Sequence, residues 1–479
     1  MKAFVLALAG FFLLGAAWAV SLPVNGTYDE KHHIVRAYAV VHGQWLPTHT
    51  TADEEAALST EAYEVPATLL PANPHCAWIE SAPASCQEPM GESGSVVEAS
   101  GAARYNPLYY LPVGLPLLIS PDSGGIVAAR LISALLSALL LAAAVAIAVR
   151  WGSRLQVAAV ALAATPIVVN LAGSVNPNGL EISAGVLLFS ALLAALTQPE
   201  RPRWLLACVA VAAVLLITVR HLGPVLFAID VAAVAVVVGV RAALRDTAVR
   251  KVLAIAAGSA VAAAVLWTLV ARATDLDITR GTVDPTWGEL LTTRLRFYVQ
   301  QIVGQFGYGE TVMSPLAVAL WYALIGVLVV PALLRGGRRV VLACAGLVAV
   351  SFALLYGLEL YFLDLTGRWF AHGRYVLPVL VGVVIIAGRV EVPRPAWFAP
   401  ALVIATVAVH AYALARVVSR YAHGPDSGFD PFGGQWSPPV NPAIAVTAVA
   451  TGVFLLSLTA QSDQIGTVSP VSTRTVSTH

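Results

Sequence analysis

Charge is what this chain of 479 residues has least of. Asp, Glu, Lys and Arg make up only 11% of it, and they nearly cancel to a formal net charge of +1. Without a basic field to gather phosphates, nucleic acid is not an expected partner. No GxxxxGK[ST] loop occurs and no GxGxxG follows a strand-like run, which excludes both glycine cradles for nucleotides. Cysteine is equally scarce, at four residues. Cys208 and Cys344 sit inside apolar runs and read as small core residues, whereas Cys76 and Cys86 lie in a polar stretch without the CxxC spacing of a zinc site. The latter two either form a disulfide, which needs an oxidising compartment, or stand as two unpaired thiols.

What replaces charge is hydrocarbon. Hydrophobic residues account for 58% of the chain and mean hydropathy is +0.77, well above a soluble domain. Apolar runs long enough to cross a bilayer recur along most of the length. The first, 3–22, follows Lys2 and reads as a retained helix, although Ala17-Trp18-Ala19 also resembles the end of a signal peptide. Further spans are predicted at 125–149, 155–173, 179–197, 203–219, 222–240, 251–270, 315–334, 339–358, 374–390, 396–415 and 443–459. The expectation is an all-α polytopic membrane protein of about twelve transmembrane helices, one integral-membrane domain over 1–459 with a disordered cytoplasmic tail at 460–479.

The few basic residues give the orientation. Arg150 and Arg154, Arg201 and Arg203, Arg241 to Lys251, Arg335 to Arg339, and Arg389 and Arg394 all fall in short loops on one side when the N-terminus is inside. Both termini are then cytoplasmic. The opposite, extracytoplasmic side collects two large loops, 23–124 and 271–314, and every chemically rich turn. In the first loop, 29–43 reads as an amphipathic helix lying flat at the interface, with Ile34, Val35, Tyr38 and Val41 as its apolar positions. In the second, Leu290, Leu291, Leu295 and Phe297 accompany Arg294, Arg296 and Tyr298 and suggest another such helix, mainly an interface anchor.

Four outer motifs could carry chemistry. Asn25 to Arg36 holds Asp29, Glu30, His32 and His33, with Asp29 and His33 four apart and so on one helical face. That group offers a carboxylate general base, or a divalent-cation site (Mg or Mn) built from Asp29, Glu30 and His33. The turn Asn176-Pro-Asn-Gly-Leu-Glu181 presents Asn178 and a carboxylate, Glu181, at membrane depth. Arg220-His221 occupies a tight turn where Arg suits a lipid phosphate, or simply snorkels to headgroups. Gly367 to Tyr375 places Arg368, His372, Arg374 and Tyr375 together, suited to an anionic headgroup or a stacked sugar, though Arg and aromatics are also ordinary interface anchors.

The run Tyr28-Asp-Glu-x-x-His33 with Arg36 following, the turn Asn176 to Glu181, and Gly373-Arg-Tyr-Val-Leu-Pro378 in that order resemble the bacterial polytopic membrane family known as domain of unknown function 2142. That family in turn resembles the GT-C glycosyltransferases, which use polyprenyl-phosphate sugars and carry an acidic motif in the first outer loop. Family members often have Pro before Asp-Glu, where this chain has Tyr28. The resemblance implies a bacterial plasma-membrane enzyme moving a sugar from a polyprenyl-phosphate donor to a cell-envelope polysaccharide or glycolipid. Asp29 would be the base with Glu30 its partner. His33, Arg36, Asn178, Glu181, Arg220, His221, Arg368, His372, Arg374 and Tyr375 would contact substrate. The competing readings are a transporter or flippase of lipid-linked saccharides and a non-catalytic envelope assembly protein. A transporter calls for polar residues at mid-membrane, and few charges beyond Glu181, Asp230 and Glu359 are seen there.

Overall fold

Apolar helices in lipid gain little by exchanging lipid for protein, so they hold together through close backbone approach and buried polar pairs. Both devices appear in the computed structural model, which describes residues 1–51, 61–273, 281–426 and 428–461. Residues 462–479 of the expected tail, and Asp275 and Asp277 of the second large loop, lie outside the described residues.

Helix α1 (Lys2–Ala19) leads into α2 (Glu30–Val41), and the first loop continues through β1 (His49–Thr50), β2 (Glu61–Pro66), α3 (Cys76–Ile79), β3 (Ser95–Ala99) and α4 (Tyr110–Gly114). The helical body follows: α5 (Ser123–Trp151), α6 (Arg154–Ala163), α7 (Pro166–Ala172), α8 (Pro177–Thr197), α9 (Arg203–Thr218), α10 (Gly223–Val238), α11 (Val240–Arg245) and α12 (Thr247–Val270). After α13 (Trp287–Val303) and the short pair β4 (Gln305–Phe306) and β5 (Thr311–Val312) come α14 (Pro315–Arg335), α15 (Gly337–Thr366), α16 (Leu377–Arg389), α17 (Phe398–His423) and α18 (Pro442–Ala460). The protein is all-α and polytopic. Its strands, β1-β2-β3 antiparallel and β4-β5, are confined to the loops.

Sequence chemistry accounts for the helix starts. Asp122 accepts from the amides of Gly124 and Gly125 to open α5, and Asn176 accepts from Asn178 N while Pro177 takes the first helical position of α8. Thr286 and Glu289 close a capping box on α13. Within the body, α1 and α18 touch at Gly10 and Gly452, where an added Cβ would stand 2.8 Å from a backbone oxygen. Helix α8 is enclosed by its neighbours along nearly its whole length.

The expected twelve spans are not all met. Among the described residues eight helices are long and apolar enough to cross a membrane: α1, α5, α8, α12, α14, α15, α17 and α18. A ninth is reached if α6 and α7, bent by 67° where Ala164 and Thr165 part them, count as one broken span. The runs at 203–219, 222–240 and 374–390 fold into α9, α10 and α16 of 16, 16 and 13 residues, short of the roughly 20 that cover a bilayer.

Nor does the 29–43 segment lie flat at an interface. Ten of the twelve residues of α2 are buried, covered by β2, β3 and α4. Helix α13 does fit an interface, with Trp287, Leu291 and Leu295 exposed, but its other face buries Arg294, Tyr298 and Gln301.

Candidate functional site

Asp29 stands just before α2 with φ +60° and ψ 10°, in the left-handed region, where Asp and Asn are the least strained residues after Gly. Its carboxylate is 41% exposed and receives a 2.5 Å bond from Nη2 of Arg374, whose own side chain is fully buried. The guanidinium lies 4.1 Å from the Tyr28 ring centre and 5.4 Å from that of Tyr375. Its Nε and Nη1 are buried without a hydrogen-bond partner. Two N–H donors left unpaired on a buried cation are costly unless an anion meets them.

Around this pair the sequence motifs converge. Arg220 lies over the other ring neighbour, Tyr375, at 4.7 Å and bonds Glu181 Oε2 at 3.2 Å, while Glu181 Oε1 and Asn178 Nδ2 are buried and unpaired. His372 packs edge-on against Tyr28 and holds Nδ1 3.0 Å from Gln301 Nε2. His33 Nδ1 pairs with the Tyr110 hydroxyl at 2.8 Å. The turn Asn176 to Glu181 is tied in from below, since Asn176 Nδ2 donates to the Tyr28 carbonyl at 2.8 Å.

Burial pushes the Asp29 carboxyl up, but Arg374, then His372 and His33, pull it the other way and carry it to about 2. Burial lowers His33 to about 3 against the opposing pull of Asp29, and holds His372 well below the usual imidazole range. Tyr375 is pushed up to about 12, again by burial first. At neutral pH the site therefore holds a carboxylate among neutral imidazoles and phenols, with the guanidinium beside it.

Other expected site residues are placed elsewhere. Glu30 is turned away from Asp29: its two oxygens take a fork from Arg130 at 2.7 and 2.6 Å, and Val175 N adds a third bond. Arg36 is spent on Trp45 O, Tyr63 Oη and Tyr105 O, tying the loop rather than facing a ligand. Arg368 packs against Gly281, where 281–283 pairs with 366–367. His221 packs against the edge of Tyr105. The trio considered for Mg or Mn does not form, because Glu30 points at Arg130, and among the described residues no three acidic, His or Cys side chains gather around a common point. Cys76 and Cys86 are joined in a disulfide, whose loop is docked by Arg420 on the Ala77 and Ala82 carbonyls.

Two residues of consequence escaped the sequence reading. Arg130 is a lone cation inside an otherwise apolar span, a signal that asks for a buried carboxylate. Gln301 sits on the face of α13 opposite its exposed leucines, where only the buried side could have revealed it. Arg294, named at the outset as part of an anchor, instead joins Tyr298 on Glu359 and reaches Ala371 O, which fixes the 367–375 segment that carries Arg374.

Immediately past Tyr375 and Val376 the chain enters α16, and there an apolar cavity of about 360 Å³ opens between α6, α13, α14, α15 and α16. Leu377, Val381, Val299, Ile302 and Phe352 line it, and Thr165, at the break between α6 and α7, is almost its sole polar wall.

Solved structures similar to this chain include two crystal structures of ArnT from Cupriavidus metallidurans, one bound to undecaprenyl phosphate and one in the apo state. Identities are 14% and 13%, coverage is 96% and 97% of this chain and 76% of each of those, and the TM-score is 0.45 for both. No curated protein sequence matches. The family described as "Predicted membrane protein (DUF2142)" matches residues 12–383, and the chain belongs to that family.

Proposed function

We propose that this protein transfers a sugar from a polyprenyl-phosphate donor to a hydroxyl acceptor of the cell envelope, on the extracytoplasmic face of the bacterial plasma membrane. The observation that carries the reading is Arg374: a fully buried guanidinium with two unpaired donors, bonded to a half-exposed Asp29 and three residues along the chain from Leu377, which lines an apolar cavity. A phosphate needs the first, an acceptor hydroxyl the second and an isoprenoid chain the third.

In this mechanism Asp29 takes the proton of the acceptor hydroxyl as its oxygen bonds the anomeric carbon. The bond from that carbon to the phosphate oxygen breaks and its electron pair leaves with the lipid phosphate. Charge on that phosphate grows as it departs, so donors fixed on Arg374, with Arg220 across Tyr375, favour the transition state over the ground state. Glu30 and Arg130 hold the floor beneath Asp29 and touch no reacting atom. Glu181 fixes Arg220 through Oε2.

The deciding experiment is a transfer assay with purified protein and a panel of polyprenyl-phosphate sugars, run beside Asp29→Asn. Transfer by the wild type and its loss in the variant supports the reading. Full transfer by the variant removes Asp29 as base, and binding of lipid without transfer from any donor favours transport. Cavity filling by Val381→Trp should raise KM for long-chain donors more than for short ones. Labelling Trp45→Cys and Arg335→Cys from either side of the membrane tests the orientation, with only the first expected to react from outside.

A further inference from the structure

We propose that Gln301 and Gln305 form the subsite that reads the hydroxyl groups of the donor sugar, and so set which sugar is accepted. The inference rests on the transferase reading and adds to it the residues that meet one part of the substrate.

Both glutamines are buried, at 0% and 6% exposure, and each commits one end of its amide to the protein. Gln305 Nε2 donates to the Gly309 carbonyl at 2.6 Å, and Gln301 Nε2 lies 3.0 Å from His372 Nδ1. Oε1 of each is buried with no hydrogen-bond partner. For Gln305 this orientation is forced, because the Gly309 carbonyl can only accept. Either end of the Gln301 amide can meet the imidazole, and the opposite end is then left over. A glutamine kept only to tie two segments together gains nothing from burying half of its amide unanswered.

The two amides meet around Tyr28, next to the reacting groups. Gly309 comes so close that a Cβ there would stand 3.0 Å from Tyr28 Oη and 3.5 Å from Gln305 Nε2, and its φ of +105° also calls for glycine. The Gln301 amide lies beside the same hydroxyl. The face of the Tyr28 ring carries the Arg374 guanidinium at 4.1 Å, and a Cβ on Gly373, the residue before Arg374, would stand 3.4 Å from Gln301 Cβ. The same stretch of α13 supplies Val299 and Ile302 to the apolar cavity. The groups left over differ in kind. Arg374 offers donors, which phosphate oxygens answer, whereas Gln305 Oε1 accepts only from O–H or N–H and repels a phosphate. A hydroxyl both gives and accepts, so it answers Gln305 and either end of Gln301. A phosphate joined to a polyhydroxylated ring meets all of them at once.

The test compares lipids with and without a sugar, read as binding without turnover. Short-chain polyprenyl phosphates, sugar-free or bearing glucose, mannose or galactose, are titrated by calorimetry into detergent-solubilised wild type, Gln301→Met, Gln305→Met and Gln305→Glu. Methionine keeps the length and removes the amide, whereas glutamate keeps an acceptor oxygen and loses only the bond to Gly309. The readout is the ratio of affinities for the best-bound sugar lipid and the sugar-free lipid, which a general loss of packing leaves unchanged. Wild type should prefer the sugar lipid, each methionine variant should lower the ratio about fivefold or more, and Gln305→Glu should retain it. A ratio unchanged in one methionine variant removes that glutamine from the subsite. A ratio unchanged in both, or a wild type that binds the sugar-free lipid as tightly as any sugar lipid, overturns the subsite and leaves the transferase reading standing. A ratio that Gln305→Glu lowers as far as Gln305→Met does assigns Gln305 to holding Gly309, and overturns its part in reading sugar. A wild type that binds none of the lipids overturns the transferase reading and the subsite together.

Discussion

Asp29 and Glu30 are neighbours in the chain, both carboxylates, both bonded to an arginine, and they do opposite things. Glu30 and Arg130 are 0% and 1% exposed, and every donor and acceptor is answered: the fork itself, Val175 N, and the Ala19, Leu22 and Pro23 carbonyls on the arginine. Asp29 has one bond to an arginine with two donors unanswered, a side chain open to solvent and a left-handed backbone. A saturated buried pair fixes the angle between α1, α2 and α5. An unsaturated one stores the capacity to bind something else. The two side chains part at a residue held in the left-handed region just before α2 begins.

The largest effect expected from breaking this comparison is on transfer. Asp29→Asn should reduce it about 10²–10⁴-fold, the usual contribution of a general base, while stability falls less than in Arg130→Ala because the Asp29 side chain is partly open to solvent. If Asp29→Asn instead unfolds the protein as Arg130→Ala does, the two pairs are alike and the contrast fails. Next comes the floor pair. Arg130→Ala leaves Glu30 charged and buried without its partner, and should cost about 3–5 kcal/mol, read as loss of folded protein in detergent. Glu30→Gln should be milder, since a neutral amide tolerates burial and can still accept from Arg130.

The sequence announced the elements of this contrast unevenly. Apolar runs and basic loops were enough for an all-α polytopic fold, because spans of Ala, Val and Leu have no other use. Span number was less readable, since hydropathy does not register where Thr165-Pro166 breaks a run or where α16 stops after 13 residues. Asp29 and Arg374, 345 positions apart, were each visible as a candidate, and their bond was not. Glu30 was expected as Asp29's partner from the family resemblance, but Asp29 stands in a left-handed turn ahead of α2 and Glu30 goes to Arg130 instead. Arg130 alone in α5 was the clue that could have corrected this. For Arg36 no local signal distinguishes a ligand-binding guanidinium from one that ties Tyr63 and Tyr105 together.

A smaller change sharpens the comparison from the cation's side. Arg374→Lys keeps the charge but replaces the planar fork by a point charge, losing bidentate recognition. Affinity for a polyprenyl phosphate should fall by roughly 1.5–3 kcal/mol, about ten- to a hundredfold, with stability little changed. Arg130→Lys, by contrast, should lower stability, because the fork to Glu30 and the three carbonyl bonds are lost together. Equal stability losses in the two lysine variants would mean that Arg374 is as structural as Arg130.

Acid provides the mildest probe. His33, 5% exposed in α2, has an imidazole that burial lowers to about 3, facing Asp29, His32, Arg220 and Arg374 and bonded to Tyr110. The unfolded chain takes up its proton near pH 6.5, whereas the folded chain resists until about 3. Its contribution is therefore present above pH 6.5 and lost progressively as pH falls toward 3, at most about 1.4 kcal/mol by pH 5.5. His372 acts in the same direction. Asp29 behaves as a depressed carboxylate, stabilising above its ordinary 3.8 and losing that contribution only as pH falls to about 2. Between pH 7 and 5.5 the two effects separate: the unfolding temperature of wild type should fall, that of His33→Gln should fall less, and that of Asp29→Asn should keep most of the wild-type slope. A slope unchanged in His33→Gln would mean that this imidazole takes up its proton alike in the folded and unfolded chain, and a steeper fall than wild type would mean that it is protonated more readily in the folded protein.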